Sequence, residues 1–387
     1  MRFSNSPWNK VFFKDIANFS KGNGLSKDLL SNKGIKCILY GELYTKYIPG
    51  PINKVISKTT TIPQNPVYSK KNDIILPASG ESNLDISTAC CLQEDNILLG
   101  GDLNIIRVSK HDGSFICYQL IGKRKFDVAK IAQGASIVHL HNSDLEKLKL
   151  FIPPSLADEL KISSFLNVIS ERIVTQKKII EDIELLKKQL RNNIFTVYYS
   201  SFQPLKNLYI KGKAGGTPKT TNKEYYDGDI PFLSITDITS SGKYIDNCLK
   251  NISKKGLENS SAWIVPAGSL ILSMYASVGL PCINKIELAT SQAMFSMILK
   301  KGINIDYIYE YLKYFKENKL ETYLEKGTQS NINSNIVENI LIPLPDEEKI
   351  SKIVNILTSI DKKIDNEKSI LQLYIKQKEY LLNKLFI

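Results

Sequence analysis

Residues 154–195 read PSLADELKISSFLNVISERIVTQKKIIEDIELLKKQLRNNIF, and residues 345–386 read PDEEKISKIVNILTSIDKKIDNEKSILQLYIKQKEYLLNKLF. The two stretches align without a gap at a constant offset of 191. Identities run from Pro154/Pro345, Lys161/Lys352 and Lys177/Lys368 through Ile179/Ile370, Lys187/Lys378 and Asn192/Asn383 to Phe195/Phe386. A period near half the chain is too long for a solenoid. It indicates two copies of one unit, for which a pseudo-twofold molecule is the natural product.

Both stretches carry a coiled-coil seam. In the first copy apolar residues fall at Ile162, Leu166, Ile169, Ile173, Ile180, Ile183, Leu190 and Ile194. In the second they fall at Ile353, Leu357, Ile360, Ile364, Leu371, Tyr374, Leu381 and Leu385. Steps of four and three alternate, as they do at the a and d positions of paired helices. Two seam positions are polar in both copies, Gln176/Glu367 and Lys187/Lys378, which weakens packing and fixes register. Each helix follows a proline-marked entry, Ile152-Pro153-Pro154 or Ile342-Pro343-Leu344-Pro345, with acidic residues close behind where the helix dipole favours them. Neither contains an internal Pro or Gly. At about 1.5 Å per residue such helices are about 55–60 Å long. One stripe cannot bury itself, so the spacing predicts that the two copies pair antiparallel.

The helices divide the chain into four segments: globular 1–153, helix 154–196, globular 197–344 and helix 345–387. The globular halves echo each other. Trp8, Lys14-Asp15-Ile16 and Gly22 are answered by Phe202, Lys206-Asn207-Leu208 and Gly215-Gly216. Ile38 to Leu43 is answered by Pro231 to Ile238, and Asn72 to Pro77 by Val265 to Leu272. Alternating apolar residues with frequent Gly, Pro and Asn turns predict a mixed α+β domain with a strongly bent sheet and few helices. Asp306–Leu324 is the clearest helix inside the second half.

Formal net charge is +12, and its distribution is informative. Residues 1–153 hold +7 and residues 197–344 hold +3, while the two helical segments hold +2 together. The basic surplus therefore sits on the globular halves, which places polyanion binding there and leaves the mixed-sign helices to partners. The six cysteines form no CxxC pair and no zinc spacing. The opening residues Met1 to Ser6 lack the apolar core of a signal peptide, and no run approaches the roughly 20 apolar residues of a membrane span. These features predict a reduced, cytoplasmic protein.

Further motifs give the chain a family. Gly215-Gly216-Thr217-Pro218, Tyr225-Tyr226-Asp227-Gly228-Asp229-Ile230-Pro231-Phe232 and Thr236-Asp237-Ile238 stand in that order. They are followed by Ile271-Leu272-Ser273, Ala276-Ser277-Val278-Gly279 and the ending Ile342-Pro343-Leu344-Pro345 to Phe386. The whole chain resembles the specificity subunit of type I restriction–modification enzymes, in the order recognition domain, helix, recognition domain, helix. The first half departs from the pattern, with Lys21-Gly22-Asn23-Gly24 where the second has Gly-Gly-Thr-Pro. The resemblance implies that each recognition domain reads one half of a bipartite duplex DNA target, and that the departure makes the two half-sites different. It implies that the helices set the spacing and dock two modification (methyltransferase) subunits, with ATP-dependent restriction subunits completing the nuclease. S-adenosylmethionine, ATP and Mg would then belong to those partner subunits, with no cofactor on this chain.

The chain's own chemistry points the same way. Asn65-Pro66-Val67-Tyr68 approaches a methyltransferase active-site motif, but Val replaces the second Pro and no Gly-rich cofactor loop accompanies it. No GxxxxGK[ST] loop is present, and carboxylates are scattered rather than clustered as in a nuclease. His139 and His141 share one face of a strand without a third ligand, so no metal site is expected. Sequence-specific binding needs phosphate clamps and base-edge readers. In the second half these are Lys219, Thr220, Thr221 and Lys223 after the Gly/Pro turn, then Ser273, Tyr275 and Ser277, then Gln329 and Asn331. The matching places in the first half are Tyr40, Glu42, Ser79, Glu81, Ser82 and Ser136, with Lys123-Arg124-Lys125 as a basic cluster suited to phosphate. The alternative is a scaffold or mimic that binds the methyltransferase subunits without reading DNA, which neutral or acidic globular halves would favour.

Overall fold

The computed structural model describes residues 7–134, 137–197, 199, 201–324 and 331–387. The chain forms two compact units: Met1–Glu181 with Asn366–Ile387, and Asp182–Asp365. The division runs through both long helices rather than beside them, so each unit contains a globular half and a part of each helix.

In the first unit the central sheet comprises β1 (Ala17–Lys21), β2 (Gly50–Ile52), β3 (Ile74–Pro77), β4 (Cys90–Leu92) and β5 (Leu103–Val108), followed by helix α1 (Gly113–Ile121). The long helix α2 (Leu156–Thr196) follows. The second unit repeats the plan with β6 (Tyr209–Ala214), β7 (Tyr244–Ile245), β8 (Leu270–Ser273), β9 (Pro281–Asn284), β10 (Met294–Leu299) and helix α3 (Ile305–Asn318). The second long helix is α4 (Glu347–Lys384). Strand order is β1-β5-β3-β4-β2 in one unit and β6-β10-β8-β9-β7 in the other. In both sheets only the last pair is parallel. The sequence echo is therefore a topological repeat. A smaller four-stranded sheet accompanies each central sheet.

The middle strands show why these runs are continuously apolar rather than alternating. Ile74 and Leu76 enter one core cluster and Ile75 another, and Leu270, Leu272 and Ile271 divide in the same way. A sheet buried on both faces needs apolar residues at every position. Helix α3 agrees with the expected helix but ends at Asn318, and a 3-10 turn covers Leu320–Tyr323. Its counterpart α1 carries no sequence signal because all nine of its residues are buried. Without a polar face there is no 3.6-residue rhythm to detect.

The long helices α2 and α4 pair antiparallel within each unit. In the first unit the Gln176 amide donates to Glu367, and the Arg172 guanidinium lies 6.0 Å from the Tyr374 ring centre. In the second, Lys187 meets Asp361. Ile169, Ile173, Ile180 and Ile364 are buried along the seam, with Ile183, Leu190, Ile360, Leu371, Tyr374 and Leu381 half-buried. The helix ends behave differently. Ile162, Leu166, Leu382 and Phe386 enter the core of the first globular half, and Phe195, Ile353 and Leu357 that of the second. The repeat-matched pair Phe195/Phe386 shows the device clearly. Phe386 packs on Trp8 and Phe115, with centroids 6.3 and 5.3 Å away, and Phe195 on Tyr307, Tyr311 and Tyr314 at 5.2–5.7 Å. Burying one such ring contributes about 2–3 kcal/mol. Each globular half is thus clamped by the start of one long helix and the end of the other.

Candidate nucleic-acid interface

The loop after β1 and the loop after β6 look unrelated in sequence, Lys21-Gly22-Asn23-Gly24 against Ala214-Gly215-Gly216-Thr217-Pro218. Their backbones are held in the same way. Gly22 N donates to Leu103 O (2.9 Å) and Asn23 N to Leu99 O (3.1 Å). Gly215 N donates to Met294 O (3.1 Å) and Gly216 N to Thr290 O (2.9 Å). A Cβ added at Gly22 would lie 1.9 Å from Gly100 O, and one at Gly215 would lie 1.9 Å from Thr290 O. Only glycine allows this approach. The next two anchors also match. Ala78 N donates to Asp102 O and Met274 N to Ala293 O, both at 2.7 Å. Leu140 N donates to Ala78 O (2.9 Å) and Ile332 N to Met274 O (3.1 Å). In each unit one framework gathers three loops that are remote in sequence.

In the second unit this framework brings together most of the sequence-selected residues. Lys219, Thr220, Thr221 and Lys223 are exposed after the Gly-Gly-Thr-Pro loop. Tyr275 and Ser277 are exposed on the β8–β9 hairpin. Ala276 and Ser277 both adopt left-handed backbone, φ 41° and 47°, a costly conformation for non-glycine residues. Ser273 is fully buried beneath that hairpin. Its hydroxyl donates to Ser277 O (2.7 Å) and accepts from Leu280 N (2.9 Å). Expected to face a partner, it instead holds the turn closed. Asn331 is half-buried beside the hairpin, and Gln329 lies outside the described residues. Sequence reasoning missed Gln292, exposed between the loops with its side chain bonded to Thr217. It also missed exposed Lys211 and Lys213, whose ammonium groups lie 4.3 and 5.8 Å from the Trp263 ring centre.

The first unit assigns several selected side chains to its own fold. Glu42 is 5% exposed, and its carboxylate accepts from Leu39 N (2.9 Å), Lys46 Nζ (2.6 Å) and the Ser57 hydroxyl. It plays the part that Asp237 plays in the capping box with Ser234. Ser82 caps the short helix Asn83–Ile86 by accepting from Asp85 N. Within Lys123-Arg124-Lys125, Arg124 pairs with Asp127, stacks 4.6 Å over Phe151 and donates to Ile387 O, while Lys123 is exposed. Glu42, Ser82 and Arg124 thus have partners within the fold. Tyr40 is half-buried and Glu81 exposed. Ser79 bonds His139 Nδ1 at 3.2 Å, and the His139 and His141 rings stack 6.4 Å apart. Ser136 lies outside the described residues. Among the described residues, those accessible around the framework include Asn23, Ser79, Glu81, Asp102 and His139, a set unlike that of the second unit.

Among the described residues no group of three or more His, Cys, Asp and Glu could hold a metal ion. Burial pushes the Cys37 thiol up to about 11 and the Cys90 thiol up to about 12, the reverse of activation. No helix among the described residues is long and apolar enough to cross a membrane.

The model of the type I restriction modification DNA specificity domain matches residues 5–185 and again 204–373. The MjaIX type I restriction enzyme specificity subunit of Methanocaldococcus jannaschii is 33% identical over 159 residues, 40% of this chain and 36% of that protein. The HindI specificity subunit of Haemophilus influenzae is 30% identical over 161 residues, 40% of this chain and 35% of that protein. The chain thus spans about a third of the length of these curated relatives. The crystal structure of a type I restriction–modification S subunit from M. genitalium superposes with a TM-score of 0.60 at 18% identity, covering 100% of this chain and 98% of that one. A chain from a study of assembly and conformational transition of the type I R-M system gives 0.60 at 14% identity, covering 97% and 96%. These likenesses extend to the fold.

Proposed function

The chain belongs to the type I restriction modification DNA specificity family, and from that premise we propose that it is the specificity subunit of such a system. Each unit reads one half of a bipartite duplex DNA target through the loops gathered on its framework. The paired helices set the spacing and dock two modification subunits, which restriction subunits join. The chain itself performs no bond chemistry. S-adenosylmethionine, ATP and Mg serve the partner subunits, and the assembly works in the cytoplasm. One observation carries this reading: the same backbone framework occurs twice with different accessible side chains. A duplicated reader of two unlike half-sites needs that arrangement, because the backbone sets the loops and the side chains select bases. The basic surplus on the globular halves supports it, and the scaffold alternative does not account for that surplus.

Genome-wide methylation mapping tests the proposal, in cells carrying this chain with its modification subunit against cells lacking the chain. A split motif that depends on the chain is the expected result. A stable complex without new methylation would favour the scaffold reading. Inserting one heptad into both helices, about 10 Å of rise, should lengthen the gap in the motif by about three base pairs and leave both half-sites intact. Altered half-sites would refute the spacer role.

A further inference from the structure

The repeat supplies an internal control for one buried lysine. In the second unit Lys187 is 9% exposed, and its ammonium meets Glu310 Oε1 at 2.7 Å and Asp361 at 2.7 and 2.8 Å. Its repeat mate in the first unit, Lys378, is 7% exposed. The mates of the two carboxylates are gone. Asp361 corresponds to Ser170 at the constant offset of 191. Glu310 is the sixth residue after the N-cap Asn304, and the sixth after the matching N-cap Asp112 is Tyr118. Tyr118 and Ser170 bond each other at 2.9 Å. Lys378 is left with one backbone acceptor, Pro49 O at 2.8 Å, and with the Tyr118 ring centre at 5.5 Å. An ammonium carries three donors. Among the described residues no carboxylate pairs with it.

Beside Lys378 lies a cavity of about 390 Å³. Its other charged wall groups are Lys125, Lys177 and a single acid, Glu379, and Ile173 and Ile375 contribute apolar wall. A buried cation without an anion is costly. Burial above all, with Lys177 adding to it and Cys117 and Cys90 opposing, pushes the Lys378 ammonium down to about 8.

We propose that this cavity is a carboxylate-binding site, in which Lys378 receives from outside the chain the anion that Glu310 and Asp361 supply to Lys187. The ligand is a carboxylate on a short apolar stem, which lies against Ile173 and Ile375. A carboxylate would give the Lys378 ammonium a buried counter-charge, the part that Glu310 and Asp361 share for Lys187 in the other repeat. Its source is a free organic acid or the acidic side chain of a protein partner.

The test uses the full chain and an amine-acetylating reagent at pH 8, with modification of Lys378 followed by peptide mass spectrometry. Butyrate and inorganic phosphate are compared at equal ionic strength. Butyrate is expected to slow acetylation of Lys378 at least fivefold and phosphate less than twofold. The Ser170→Asp variant returns one carboxylate to its repeat position. It should show slow acetylation without ligand and no further response to butyrate, and it does not depend on removing the lysine. Equal protection by both anions, protection by neither, or a full butyrate response in Ser170→Asp would overturn the proposal. An organic acid extracted from the denatured purified chain assigns a free ligand. Where butyrate protects, equal protection by the modification subunit added in place of butyrate assigns a side chain.

Discussion

Lys187 and Lys378 occupy the same seam position of a repeated helix, yet one is enclosed by two carboxylates and the other faces a cavity. The loops Lys21–Gly24 and Gly215–Pro218 show the opposite relation, with different residues and the same backbone bonds. Duplication has therefore kept the backbone framework and released the side chains around it. The framework glycines stay because no Cβ fits against the facing carbonyls. The accessible side chains around them, and the counter-ions of the seam lysine, have diverged.

The two lysines offer the largest test of this contrast. Among the described residues, Lys187→Met would leave Glu310, 2% exposed, with only Arg191 at 3.5 Å as an ion-pair partner, and should cost about 3–5 kcal/mol in urea unfolding. Lys378→Met should instead stabilise the chain at pH 7. The folded-state value of Lys378, about 8, lies below its ordinary 10.5, so below pH 8 the folded chain carries the full penalty of the buried charge. The unfolded chain binds more protons between pH 8 and 10.5, so wild-type stability rises there relative to the variant. The variant's advantage, up to about 3 kcal/mol, should fade across that window in paired unfolding curves. Equal losses for both substitutions would erase the distinction.

The framework should be equally intolerant in both units. Gly22→Ala and Gly215→Ala each force a Cβ against a carbonyl oxygen and should each cost about 1–3 kcal/mol by chemical denaturation. A neutral Gly22→Ala would break the equivalence of the loops. Lys219→Ala and Lys223→Ala carry the smallest effect. Each should lower the salt dependence of DNA binding by about one unit of log–log slope, with sequence preference unchanged.

Much of this molecule is legible in its sequence, and the residues explain where legibility stops. The seam of α2 and α4 is plain because a 3–4 rhythm across 41 and 38 residues has no competing explanation. Buried α1 is silent because it has no polar face. Glu42, Ser82 and Ser273 resemble contact groups because a polar residue near a turn reads alike whether its partner is the chain's own backbone or another molecule. Gln292 belongs to no motif, and only the meeting of three distant loops makes it central.

The most direct test of the central claim, two like frameworks reading two unlike half-sites, is methylation mapping with the Tyr275→Ala/Gln292→Ala variant beside wild type. Both side chains are exposed on the framework of the second unit, so stability should stay within about 0.5 kcal/mol. One half of the motif should relax while the other half and the gap between them remain unchanged. Relaxation of both halves, or an unchanged motif, would contradict the claim.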